Sequence, residues 1–194
     1  MPVAHLPRDK EGRRNPEAAE VVVRAIVDAL DPAIVAIPER ELGDGILARV
    51  RTVAAIRRSL SQTGKYPLLH LLGTGNPLSM LLLAAAGANL FDGLEWCRVA
   101  ADRDTGRLYH AQHFDFFAAG MKFSEFEDVR KMVDDDEYPY FIKLLVHNID
   151  FFHTWMEEVR DRIGRRDAAG MVADYLGEPQ AERIDAACPG LFRP

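Results

Sequence analysis

The sequence predicts a parallel α/β fold, built either as an open doubly wound sheet or as β/α units of a TIM-type (β/α)8 barrel. Three observations lead there. Short runs that are apolar at successive positions recur at residues 2–6, 33–37, 67–72 and 88–91, as expected of parallel strands that helices cover on both faces. Longer stretches with helical spacing of apolar residues separate them. Reactive side chains and glycines collect just after the apolar runs, where parallel α/β folds bind their ligands.

Taken in order, the first run (PVAHL, residues 2–6) reads as a strand. A helix opens at Asn15, where an asparagine cap followed by Pro16 satisfies one orphan amide and removes another. Its apolar face carries Val22, Val23, Ile26, Val27 and Leu30, and it stops before Asp31-Pro32. AIVAI (33–37) is the second strand, halted by Pro38. A helix over 44–60 follows, with Ile46, Val50, Val53 and Ile56 inward. PLLHLL (67–72) is the third strand; it enters the loop Gly73-Thr74-Gly75, and Asn76-Pro77 repeats the cap-and-proline signal. That helix ends at Gly87, a residue suited to a helix C-terminus. ANLF (88–91) is the fourth strand and delivers Asp92. RLYH (107–110) is a candidate fifth strand, and a long helix spans 138–163. The expected organisation is β/α units over 1–135 and a helical segment over 136–194 packed on them.

Composition narrows the classes. The 194 residues are 48% apolar, 28% charged and 9% aromatic, ordinary values for a globular domain. No apolar run approaches the roughly 18–20 residues of a membrane span, and the first residues lack a signal-peptide pattern. Cys97 and Cys188 form no disulfide framework and suit a reducing compartment. A cytoplasmic protein without membrane contact is expected. Lys and Arg number 24 against 30 Asp and Glu, a formal charge of −6, so a nucleic-acid ligand would need a local basic patch. Arg49, Arg51, Arg57 and Arg58 form one candidate cluster, and Arg160, Arg162, Arg165 and Arg166 another; solvated helix faces are the simpler reading of both. The run Asp134–Glu137 reads as a loop or helix boundary on the same reasoning.

The strand ends present His5, then Glu39 and Arg40, then Gly73-Thr74-Gly75, then Asp92. Together they offer carboxylates, a guanidinium and the backbone amides of a glycine loop. A phosphate at the helix start after Gly75 is one option, although no Gly-Lys-Ser/Thr follows to make a nucleotide-binding loop of the Walker type.

The stretch HLLGTGNPLSMLLLAAAGANLFDGLEWCR (70–98) resembles the tRNA-guanine transglycosylases, the queuine tRNA-ribosyltransferase superfamily. Their pattern there is Leu-Met-Gly-x-Gly-x-Pro, a helix, then Gly-hydrophobic-Asp-Met-Phe-Asp before a basic loop. This chain carries Leu71-Leu72-Gly73-Thr74-Gly75-Asn76-Pro77, then Gly87-Ala88-Asn89-Leu90-Phe91-Asp92. A second stretch, LLVHNIDFFHTWMEEVRDRI (144–163), is similar to the family helix that begins His-Asn-Leu. The likeness covers roughly residues 33–176, and the segment from Ile37 to Asp44 suggests a divergent branch.

The resemblance implies the C-terminal half of a TIM-type barrel with C-terminal helices. It also implies exchange of guanine for a 7-deazapurine base in nucleic acid, tRNA or DNA. Asp92 would be the nucleophile at the anomeric carbon, a role suited to a carboxylate facing an oxocarbenium-like transition state. Substrate contacts would fall to Glu39, Arg40, Gly43, Leu72, Gly73, Thr74 and Gly75, with the glycines allowing close approach of the base. Arg98, Arg103 and Arg107 would meet phosphates, and the target base would be flipped out of its stack.

Departures from the family pattern are specific. The family's general base and first base-reading Asp belong to strands earlier than any present here, and Pro38-Glu39-Arg40 stands where Gly-Gly-Leu is usual. The cysteines of the family zinc site are lacking although His147 is in place, so no cofactor is expected; His110 and His113 with His147 are the one alternative metal set. A half-barrel exposes an apolar edge, so a partner chain or self-association is expected to complete it. Two other readings stand beside this one: a non-catalytic transglycosylase-like subunit or scaffold, and an α/β enzyme acting on a small phosphorylated substrate at the glycine loop.

Overall fold

The computed structural model of the protein describes residues 1–115 and 126–192. Its core is a parallel sheet of three strands, β1 (Ile34–Pro38), β2 (Leu68–Leu72) and β3 (Leu90–Phe91). They lie side by side in chain order, with Ala36 opposite His70 opposite Leu90. The described strands wind in one direction and lack the reversal of order that defines a doubly wound sheet.

Local signals place the helices between them. Asn15 accepts the Glu17 amide at 3.0 Å and starts a short 3-10 turn, Pro16–Ala18, that runs into α1 (Ala19–Leu30). α2 covers Ile46–Ser61 and α3 covers Pro77–Ala85, the latter capped by Asn76, whose side chain accepts the Ser79 amide at 3.0 Å. Val23 and Val27 of α1, Val50, Val53 and Ile56 of α2, and Leu81 and Leu83 of α3 pack with Val35, Ile37, Leu69 and Leu71 of the sheet. The α3–β3 connection is closed by Gly87 at φ 105°, where a Cβ would come within 2.8 Å of the Arg57 side chain. Arg57 donates to the Gly87 and Pro67 carbonyls and to Asn89, and stacks on Tyr66. One member of the first arginine cluster is therefore a structural clamp.

The opposite sheet face is different. Val3, Ala36, His70 and Leu90 share it, flanked by Ile34, Leu68 and Leu72. Val3 is 41% and Leu68 36% exposed, and Ile34, Leu72 and Leu90 are half-buried. An apolar sheet face thus remains partly open on the side away from the helices.

One strand expectation is corrected, and another is met in a separate sheet. Residues 2–6 form no full strand: one parallel bridge, Val3 to Ala36, holds them to β1. Proline at position 2 lacks a donor, and the Leu6 amide is drawn off to the Glu41 carboxylate at 2.8 Å. The 107–110 segment does not join the parallel sheet. β5 (Leu108–His110) pairs antiparallel with β4 (Val99–Ala101), because the turn between them is far too short for a parallel crossover. That turn is tied by Asp102, whose amide donates to the Arg107 carbonyl and whose carboxylate accepts the Thr105 hydroxyl at 2.7 Å.

The rest of the described chain is helical: α4 (Glu127–Asp134), α5 (Tyr140–Gly164), α6 (Ala168–Leu176) and α7 (Glu178–Ala187). The acidic run 134–137 closes α4 and leads toward α5. Leu144, His147, Phe151, Trp155 and Val159, spaced by three or four, form the buried stripe of α5. The Trp155 indole donates to the Pro77 carbonyl at 3.1 Å, fixing α5 against the start of α3. Among the described residues no helix is long and apolar enough to cross a membrane.

Candidate functional site at the carboxyl edge of the sheet

β3 ends at Phe91 and releases Asp92 beside the loop that follows β2. The Gly73 amide donates to Asp92 Oδ1 at 2.6 Å, and the His70 ring on β2 lies 3.6 Å from Oδ2. The Asp92 side chain is 53% exposed. One oxygen is thus held by a fixed backbone donor, while the other faces the His70 ring on a carboxylate that remains half-exposed. Gly73 sits at φ 83°, a backbone geometry that glycine adopts freely, and this turn aims its amide at the carboxylate.

Asp92 opens onto a cleft of about 610 Å³ between the strand ends and α5. Phe91, Trp96 and Phe152 supply aromatic surface, Met80, Ile149 and Met156 aliphatic surface, and Asp92, Glu95, His153 and Arg160 the charged or titratable groups. This is the mixture that small-molecule sites use: mostly apolar walls and a few placed polar groups. Gly75 and Gly93 form its floor. A Cβ at Gly93 would stand 2.8 Å from the Gly75 Cα, so the two loops touch backbone to backbone. Glu95 lies over both glycines, and its Oε2 is buried with no hydrogen-bond partner among the described residues.

The other expected substrate contacts divide. Thr74 is buried and donates to Glu39 Oε2 at 3.1 Å, while Arg49 donates to Glu39 Oε1 at 2.8 Å and to the Gly43 carbonyl at 3.0 Å. Glu39 thus has both oxygens engaged and braces the loop after β1 against the glycine loop. Gly43, at φ 126°, packs on Ala48. Leu72 is the half-buried last residue of β2, paired with Pro38, and Arg40 is exposed. None of Glu39, Arg40, Gly43 and Leu72 lines the Asp92 cleft; Thr74 and Gly75 do.

The expected phosphate ligands separate as well. Arg98 is exposed and lines a smaller recess with Gly73, Asp92 and Glu95. Arg103 lines a different recess with Trp155, Asp161 and Tyr175, and Arg107 is exposed at the end of the hairpin turn. In the second arginine cluster, Arg162 pairs with Asp174 and Asp167, Arg165 pairs with Asp161, and Arg160 reaches the cleft.

His147 and Asn148 have a structural assignment. The His147 Nε2–H donates to the Ala101 carbonyl at 2.7 Å, while Asn148 accepts the Ala101 amide at 3.0 Å and donates to the Trp96 carbonyl at 2.9 Å. The pair stitches α5 to β4 and to the turn carrying Glu95 and Trp96. Burial pushes the His147 ring below its ordinary pKa, with the Ala101 contact opposing only in part. His110 and His113 lie with ring centroids 5.9 Å apart. Among the described residues no three His, Cys, Asp or Glu side chains gather as a metal site.

His70, Glu95, Trp96 and Phe152 entered the site without a sequence signal strong enough to single them out. Strand alternation from the buried Leu69 and Leu71 places His70 on the opposite face, and the three-residue step from Asp92 places Glu95 one turn further on.

Fold and site together define a mixed α/β protein with a carboxylate-bearing aromatic cleft at the carboxyl edge of its parallel sheet. The chain matches no protein-family model and no curated protein.

Proposed function

We propose that this chain is a base-exchange enzyme of the transglycosylase type, which replaces guanine in tRNA or DNA by a 7-deazapurine. One observation carries the reading: Asp92 stands half-exposed at the end of β3, one oxygen held by the Gly73 amide, on a cleft with aromatic walls. In the reaction an Asp92 oxygen forms a bond to C1′ of the target nucleoside as the C1′–N9 bond breaks. The electron pair passes to N9 of the leaving guanine, which is protonated. The incoming base gives up the corresponding proton, attacks C1′ and frees the Asp92 carboxylate. Water must stay out of the second step, and the apolar walls serve that end.

The alternative of a phosphate at the glycine loop is less well supported. The Gly73 amide is taken by Asp92 and the Ser79 amide by Asn76. An anion arriving there would meet the Asp92 carboxylate.

In the same reading the sheet is part of a TIM-type barrel. Four parallel strand positions, counting the Val3 bridge, follow one another in chain order, half the eight of a closed barrel. A second copy of this chain covers the open apolar face, since a two-fold pair supplies the other four. The exchange is tested by incubating the chain with radiolabelled guanine and either bulk tRNA or duplex DNA. Label should enter one polymer with the natural chain and neither with Asp92→Asn. Equal incorporation by both proteins would defeat the proposal.

A further inference from the structure

We infer that Glu95 is the residue that reads the purine, selecting a guanine-type base over an adenine-type one; the inference rests on the base-exchange reading of the same cleft. Glu95 sits three residues beyond Asp92 and lines the cleft beside it. Its carboxylate is seated over Gly75 and Gly93, where a Cβ on Gly75 would fall 1.8 Å from Oε2. A side chain at either glycine would occupy that seat.

The seat is costly as it stands. A buried carboxylate oxygen without a donor forfeits hydration and gains nothing in return; Oε2 is such an atom. A ligand whose N–H groups draw the carboxylate off the two glycines and into the cleft removes the cost. Guanine and 7-deazaguanine carry two adjacent donors, N1–H and the 2-amino group, spaced for the two oxygens of a carboxylate. Adenine presents an acceptor at N1, which the carboxylate repels. Trp96, next in sequence and 40% exposed on the same cleft, supplies a ring on which the base stacks.

Trp96 also provides the readout, because Trp155, the other indole, is 3% exposed and donates to Pro77. Free guanine, 7-deazaguanine and adenine are titrated against the Trp96 fluorescence of the natural chain and of Glu95→Gln, with unfolding curves recorded for both. The natural chain binds guanine and 7-deazaguanine more tightly than adenine. Glu95→Gln keeps the shape but replaces one acceptor by a donor, so guanine affinity falls about 10- to 100-fold and the preference over adenine collapses. Gly75→Ala, which displaces Glu95 instead of altering it, gives the same loss should Glu95→Gln fold poorly. If Glu95→Gln folds and keeps the natural affinity and preference, the assignment of Glu95 is overturned while the base-exchange reading stands. If the natural chain binds neither guanine nor 7-deazaguanine, both are overturned.

Discussion

Alanine at Gly75 and alanine at Gly93 should have opposite signatures, although the two glycines touch. Neither adopts a positive φ, so an alanine meets no backbone strain at either position and only its new neighbours matter. At Gly75 the added Cβ meets chiefly the end of Glu95, at 1.8 Å from Oε2 and 2.5 Å from Cδ, and touches its Cβ at a tight 3.1 Å that a shift of a few tenths of an ångström relieves. A flexible side chain yields, and the displaced oxygen had no hydrogen bond to lose. The stability cost is therefore below about 1 kcal/mol, or a Tm change within about 4 °C. At Gly93 the Cβ meets the Gly75 backbone at 2.8 Å from Cα and 3.0 Å from N, besides Glu95. Two loops must part, an overpacking cost of about 1–3 kcal/mol, and Tm falls by roughly 2–12 °C. Function runs the other way at Gly75: with Glu95 expelled, guanine affinity drops about tenfold or more at nearly unchanged stability. Urea unfolding and the Trp96 titration measure both quantities. Equal destabilisation by the two alanines would refute the argument from neighbours, and natural guanine affinity in Gly75→Ala would refute the role given to the Glu95 seat.

Two further outcomes are expected. His147 is held below its ordinary pKa by burial, so between the folded pKa and about 6.5 the unfolded chain binds the extra proton. Stability is then full above about pH 6.5 and falls as pH drops toward the folded value; His147→Gln should lose that part of the pH dependence between about pH 7.5 and 5.5 in urea titrations, and an unchanged profile would contradict it. Light scattering should give twice the chain's 21.7 kDa, and Leu68→Lys on the open sheet face should return it to a monomer; a monomeric natural chain would exclude the second copy.

Much of the parallel unit was legible because its signals are local. Asn15-Pro16 and Asn76-Pro77 mark their helix starts through contacts spanning two or three residues, and the continuous apolar runs mark β1 and β2 within a residue of where they fall. β4 was not legible: Val99–Ala101 is three residues long, and besides its hairpin pairing with β5 it is held by Asn148 and His147, more than forty residues away. The first strand expectation shrank to one bridge for a similar reason, since Leu6 spends its amide on the distant Glu41, which is 1% exposed. Site residues follow the same rule. Asp92 and Gly73 stand at strand ends, which a pattern of runs can locate. Glu39 stands at one too, yet its partners Thr74 and Arg49 turn it into a brace, and no spacing announces a pair 35 residues apart. Glu95 is one acid in a short 3-10 turn, and its meaning comes from two glycines and an indole that the fold brings around it.

The most direct measurement is a search for the covalent intermediate on Asp92. The natural chain is mixed with excess guanine-containing tRNA or duplex DNA, with no free base added, and denatured rapidly. A fraction of the chain should then run with nucleic acid attached, and peptide mapping should place the bond at Asp92. Added guanine should discharge it, and Asp92→Asn should form none. A natural chain that never retains either polymer, or an Asp92→Asn chain that retains it equally, would contradict the account.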